Sequence, residues 1–180
     1  MIYFACSNLT CSCCGRAASN AHCRTTVPAR RRAQRCVAIT RCVREVIMRI
    51  EGRCHCGYIT YEAEIDPEAV GVCHCTDCQS LTGSAFSVFV PASRESFRLL
   101  TGQPNIYVKT AESGTKRAQA FCPECGSRIY AAAVTDPQTF NLRMGTVVQR
   151  AKLWPKKQVW CRSALSWVMN LSSITQVPKQ

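Results

Sequence analysis

The sequence predicts a mainly β domain over residues 48–180, and three observations carry that reading. Short runs rich in β-branched and aromatic residues recur from Tyr58 to Met144, separated by Gly, Pro and Ser turns. Helical periodicity appears only in brief stretches. Cysteines in C-x-C and C-x-x-C spacing stand at the ends of the extended runs, as they do where metal ligands join strands.

The elements follow in order. Met48 opens a well-patterned stretch, and Tyr58-Ile59-Thr60-Tyr61-Glu62-Ala63 reads as a strand that Asp66-Pro67 ends. Val70-Gly71-Val72 is a short strand delivering Cys73, and Thr76 to Leu81 forms one helical turn before Thr82-Gly83-Ser84. Ala85 to Val90 reads as a buried strand stopped by Pro91. Further strands are expected at Phe97-Arg98-Leu99, Ile106-Tyr107-Val108, Ala118 to Phe121, Arg128 to Val134 and Phe140 to Met144. In the tail, a short helix from Ala164 to Leu171 would lay Leu165, Val168, Met169 and Leu171 over one side of the sheet. The three tryptophans there read as core and lid packing, and Lys156-Lys157 as a solvated turn. Repeated short strands with few helices indicate mainly antiparallel pairing.

At 180 residues the chain fits one domain with an extension, and no run of eighteen or more apolar residues could span a bilayer. The net charge of +12 is unevenly spread: residues 1–47 hold eight Arg against Glu45 alone, and residues 48–180 hold fifteen Lys/Arg against ten acids. A nucleic-acid partner is therefore not expected, because the β domain is only mildly basic and its tryptophans are not interleaved with Lys/Arg.

Residues 1–47 form a basic extension with seven of the fifteen cysteines and the run Arg30-Arg31-Arg32, without a sustained period. Three readings apply: a disordered extension, an Arg-rich transit peptide, or residues upstream of the true start at Met48. On each, the extension is expected to be dispensable for folding and metal binding. Metal spacing of the cysteines, with no convincing signal peptide, points to a reducing cytoplasm rather than a disulfide scaffold.

Two cysteine constellations carry the chemistry. Cys54 and Cys56 form one donor pair and Cys122 and Cys125 another, each followed by a glycine, Gly57 and Gly126, that suits the tight turn below coordinated sulfur. Four thiolates make a closed structural site that ties an early strand to a late one. Cys73, Cys75 and Cys78 then remain as a trio. Cys161 reads as a small buried hydrophobe. His74 and His55 each stand between two ligands, so their rings point away from the ion, which leaves the trio's fourth position open to a reactant. Serine-hydrolase, P-loop, H-E-x-x-H and dinucleotide signatures are absent.

The order C-x-C-G, then C-H-C-x-x-C with a T-G-S-x-F segment, then F-C-x-x-C-G-S resembles the glutathione-dependent formaldehyde-activating enzymes and their centromere-protein-V-like relatives. The likeness covers about residues 48–165. It implies a β-tent fold of small antiparallel sheets around two zinc ions, with Cys54, Cys56, Cys122 and Cys125 as structural ligands. Cys73, Cys75 and Cys78 are implied as catalytic zinc ligands. It further implies a carbon–sulfur lyase of the S-(hydroxymethyl)glutathione synthase type, with glutathione as co-substrate: its sulfur takes the open position as thiolate and adds to the carbonyl carbon of formaldehyde. For the two carboxylates of glutathione the candidates are Arg128, Lys109, Arg117 and the N–H groups of Gly83 and Ser84. Two alternatives stay open: a non-catalytic zinc-stabilised module that binds protein or nucleic acid, and a family enzyme acting on another thiol or electrophile.

Overall fold

The structure, a computed structural model, describes residues 46–179. The readings of residues 1–45 lie outside the described residues. From Met48 the chain is mainly β: ten strands, one seven-residue α-helix, four single turns of 3-10 helix and a longer 3-10 segment in the tail.

The strands are β1 (Met48–Arg53), β2 (Thr60–Ile65), β3 (Gly71–Cys73), β4 (Ser87–Ser93), β5 (Arg98–Thr101), β6 (Asn105–Thr110), β7 (Lys116–Phe121), β8 (Arg128–Ala133), β9 (Thr139–Arg143) and β10 (Lys157–Val159), with helix α1 at Thr76–Thr82. Their main path runs β1-β2-β4-β9-β8-β7-β6, with β5 on β2 and β3 on β4. All pairings are antiparallel except that of β10 with β3.

Alternation of side chains explains the register. In β1 and β2, Ile50, Tyr61, Ala63 and Ile65 point into the core, while Arg49, Glu51, Glu62 and Glu64 face outward. Ile59, Val70, Val90, Ala92, Ala120, Ile129, Leu142 and Val147 complete the core, and the sulfur-bearing Cys54 and Cys122 belong to the same cluster. Each large apolar side chain so buried contributes ~1.5–3 kcal/mol before entropy is charged against it. Tyr61, Phe97, Phe140 and Tyr130 pack ring against ring at one side of it, with centroids 4.7–5.6 Å apart.

Pro91 does not stop β4. The strand continues to Ser93 with Pro91 opposite Asn141 of β9. On its other edge β4 pairs with β3 only as far as Phe89 and with β2 only at Ala92, so the position without an N–H falls in the gap between two ladders.

The tail differs from expectation. Ser166–Ser173 is 3-10 helix interrupted at Asn170, and Leu165, Met169 and Leu171 are exposed, so this segment does not cover the sheet. The break at Asn170 divides the segment, so the apolar positions on its two sides do not form one continuous helical face. Trp154 and Trp167 are also exposed, at 79% and 56%. Cys161 is exposed rather than buried. Lys157 opens β10, whose pairing with β3 braces the strand that ends in Cys73.

At Gly52 the backbone is closed to any side chain larger than hydrogen. A Cβ on the buried Gly52 would fall inside the Tyr61 ring, which cannot retreat because its hydroxyl shares a 2.8 Å hydrogen bond with Thr146. Gly52→Ala is expected to lower the unfolding free energy by about 2 kcal/mol or more, read by denaturant titration at unchanged m.

Candidate functional site

The four sulfurs of Cys54, Cys56, Cys122 and Cys125 lie within 4.8 Å of one another. The Cys54–Cys56 separation is 3.5 Å and the Cys56–Cys122 separation 3.8 Å. A tetrahedron of thiolates about zinc, with bonds of about 2.3 Å, has edges of about 3.8 Å, whereas a disulfide requires about 2.05 Å. The donor set therefore fits a metal ion and not a cystine.

Two reciprocal turns make this geometry. In the first, the Cys54 N–H donates to the Ile59 carbonyl, the Gly57 N–H donates to the Cys54 carbonyl, and Gly57 sits at φ +85°. In the second, Cys122 donates to Ser127, Gly126 donates to Cys122, and Gly126 sits at φ +71°. A side chain would be strained at either glycine. The Ile59 N–H also donates to the Cys54 sulfur at 3.2 Å, so backbone dipoles point at sulfur as the site requires. Ser127 clasps the two turns: its hydroxyl oxygen accepts from the His55 N–H at 3.1 Å and lies 3.3 Å from the Cys125 sulfur. That hydroxyl is the main reason the Cys125 thiol is pulled down to about 5.

Cys73, Cys75 and Cys78 form the second cluster, again with all three sulfurs within 4.8 Å. Strand β3 ends at Cys73, and Cys75 caps α1, its sulfur accepting the Cys78 N–H at 3.4 Å. The helix closes on Gly83 in the left-handed region, at φ +60°. Among the described residues no fourth His, Cys, Asp or Glu joins the trio. His74 is buried and turned away, with its Nε2 2.8 Å from the Gln158 Oε1 of β10. The Cys73 thiol is pulled down to about 5, chiefly by the hydrogen bond with Cys78 and against the effect of burial, with the Arg143 guanidinium adding to the pull. Cys78 is pushed up by the same contact.

The trio opens onto a cavity of about 790 Å³. Its wall opposite the cysteines is built from the hairpin of β6 and β7, which supplies Lys109, Glu112 and Arg117, and from Gln119, Asn141 and Arg143 deeper in the sheet. Trp160, in the left-handed region at φ +60° and stacked by the Arg162 guanidinium at 4.7 Å, forms part of the rim. Lys109 is tied to Asp77 of α1, bridging the hairpin to the cysteine helix. Arg117 has no carboxylate partner among the described residues.

Residues 49–163 match the family of glutathione-dependent formaldehyde-activating enzymes, which is more than half of the chain. The chain belongs to that family. A solved structure of a Rhodobacter sphaeroides protein is also similar, at 20% identity and a TM-score of 0.47, covering 60% of this chain and 98% of that one. Among the described residues, no helix is long and apolar enough to cross a membrane.

Of the residues singled out from sequence, the structure places Lys109 and Arg117 in the cavity with the trio. Gly83 and Ser84 are exposed beyond the end of α1 and do not line it. Arg128 faces a different cavity. Sequence reasoning missed Arg143, a buried guanidinium that donates to Ser87 Oγ at 2.8 Å and Gln119 Oε1 at 3.1 Å, beside the trio. The available signal was an arginine set between Leu142 and Met144 in the strand-like run Phe140-Asn141-Leu142-Arg143-Met144.

Proposed function

We propose that the protein is a zinc-dependent carbon–sulfur lyase that condenses formaldehyde with glutathione to S-(hydroxymethyl)glutathione at the Cys73, Cys75 and Cys78 centre. The observation that supports this most is the contrast between the two clusters: a quartet with four possible donors, and a trio with no fourth donor among the described residues that lines a cavity large enough for a tripeptide thiol. Zinc held by the trio supplies a centre that stabilises an incoming sulfur as thiolate near neutral pH.

The remaining work falls to the chain. Arg143 places a positive charge beside the cysteines, where the thiolates of the loaded centre and the reactant accumulate negative charge. Arg117 takes a carboxylate of glutathione, since it lines the cavity and is not engaged in an ion pair among the described residues; Lys109, already held by Asp77, instead fixes the hairpin against α1. The sulfur adds to the carbonyl carbon, a C–S bond forms, the π pair moves to oxygen, and that oxygen takes up a proton to replace the one the thiol gave up. No oxidant or reductant is needed.

The zinc-loaded chain is expected to accelerate loss of free formaldehyde in the presence of glutathione, followed by NMR of the hydroxymethyl product; a rate equal to that of buffer would discard the reaction. Arg117→Gln is expected to raise KM for glutathione about tenfold with little change in kcat, and to leave turnover of a thiol without carboxylates unaltered. Equal losses on both thiols would assign Arg117 to the fold instead. The same thiol panel tests whether another thiol is preferred.

A further inference from the structure

A second cavity, of about 690 Å³, shares Arg143 with the cavity of the cysteine trio. Arg53, Arg128, Arg143 and Arg150 line it together with His55 and the hydroxyls of Ser127 and Thr146, and no carboxylate does. The distribution of ion pairs makes this more than a basic surface. Of the nine arginines among the described residues, Arg49, Arg94, Arg98 and Arg162 pair with Asp or Glu. Of the five without such a partner, four converge here.

The deep end is the least compensated part. Arg143 is 9% exposed, and Arg128 and Arg143 donate to the same neutral acceptor, Gln119 Oε1, at 2.7 and 3.1 Å. The Nε atoms of both are buried without any partner. Two guanidinium groups held to one amide oxygen repel each other in a setting of reduced dielectric, and an anion between them and the mouth would relieve that repulsion. Charge on the metal centres does not remove it. With zinc bound the quartet carries a formal −2 and the trio −1, which together remain short of four guanidinium charges.

We propose that this cavity is a binding site for a small oxyanion, a phosphate or a carboxylate group, with Arg128 and Arg143 as its floor and Arg53 and Arg150 at its mouth. Arg143 is common to this site and the thiol cavity, but no cysteine of the trio lines this one, and its occupancy neither requires nor implies the lyase reaction. Forked donors of the guanidinium type suit both anions, and the test separates them.

The full zinc-loaded chain, freed of excess metal, is titrated with inorganic phosphate and, in a second arm, with succinate, each against sodium chloride at equal ionic strength. Heat of binding and thermal unfolding are recorded. A saturable heat signal is expected with at least one anion, accompanied by a rise in Tm of about 4 °C or more near saturation. Arg53→Gln combined with Arg150→Gln, both exposed at the mouth, is expected to weaken that binding at least about tenfold. Arg94→Gln combined with Arg98→Gln removes the same charge elsewhere and is expected to leave it intact. Saturation with phosphate alone assigns a phosphate ligand, and with succinate alone a carboxylate ligand. A response no larger than that of chloride in both arms overturns the proposal, as does undiminished binding in the Arg53/Arg150 variant or equal loss in both variants.

Discussion

Cys122→Ser is expected to leave the chain unable to hold its native fold. Cys54 and Cys122 are at 1% and 0% exposure and belong to the hydrophobic core, so the sulfurs of a cluster that could hold a metal ion are also core atoms. They join the turn after β1 to the turn after β7, segments 66 residues apart in sequence between Cys56 and Cys122. Metal binding at such a site contributes folding free energy on the order of 10 kcal/mol, comparable to the entire net stability of a small domain. Serine would substitute a poor ligand and bury a hydroxyl among the remaining thiolates. The measurement is far-UV circular dichroism and zinc content of the variant beside the parent chain. A cooperative unfolding transition in Cys122→Ser within about 2 kcal/mol of the parent would show that the quartet is not what holds these turns together.

The legible part of this molecule was the part fixed by local rules. Strand β2 could be read because Tyr61, Ala63 and Ile65 alternate with Thr60, Glu62 and Glu64, and both turn glycines could be read because a positive φ excludes other residues. The two cysteine sets were legible from spacing alone. What could not be read depends on partners distant in sequence. Pro91 is tolerated only because two ladders meet opposite β4, β10 exists only because β3 offers it an edge, and Arg143 reaches the trio only because β9 pairs with β4 beside Phe89. The tail misled for a physical reason as well: Leu165 to Leu171 carries enough apolar residues to suggest a packed face, yet the helix is broken at Asn170 and Leu165, Met169 and Leu171 stay exposed.

Cys75→Ser is expected to have the opposite signature to Cys122→Ser: activity lost, fold kept. The trio stands on the three-residue β3 and on α1, and no residue of that helix is fully buried, so the cluster hangs on the edge of the core rather than within it. Its scaffold is secured independently. Gln79 donates to the carbonyls of His74 and Ser163 at 2.7 and 2.8 Å, and His74 is held by Gln158 at 2.8 Å. Losing one of three donors from the centre removes the site at which a thiol would be activated. The rate of formaldehyde consumption with glutathione is expected to fall by at least about a hundredfold, since loss even of outer-shell support costs up to that much. Metal content should drop from two ions per chain to one, with Tm within a few degrees of the parent. Cys75 also caps α1 through the Cys78 N–H, and serine is itself a good cap, so helix loss does not confound the comparison. Full activity with one ion per chain would move the chemistry away from the trio. Global unfolding would mean that the two clusters are not divided between structure and reaction.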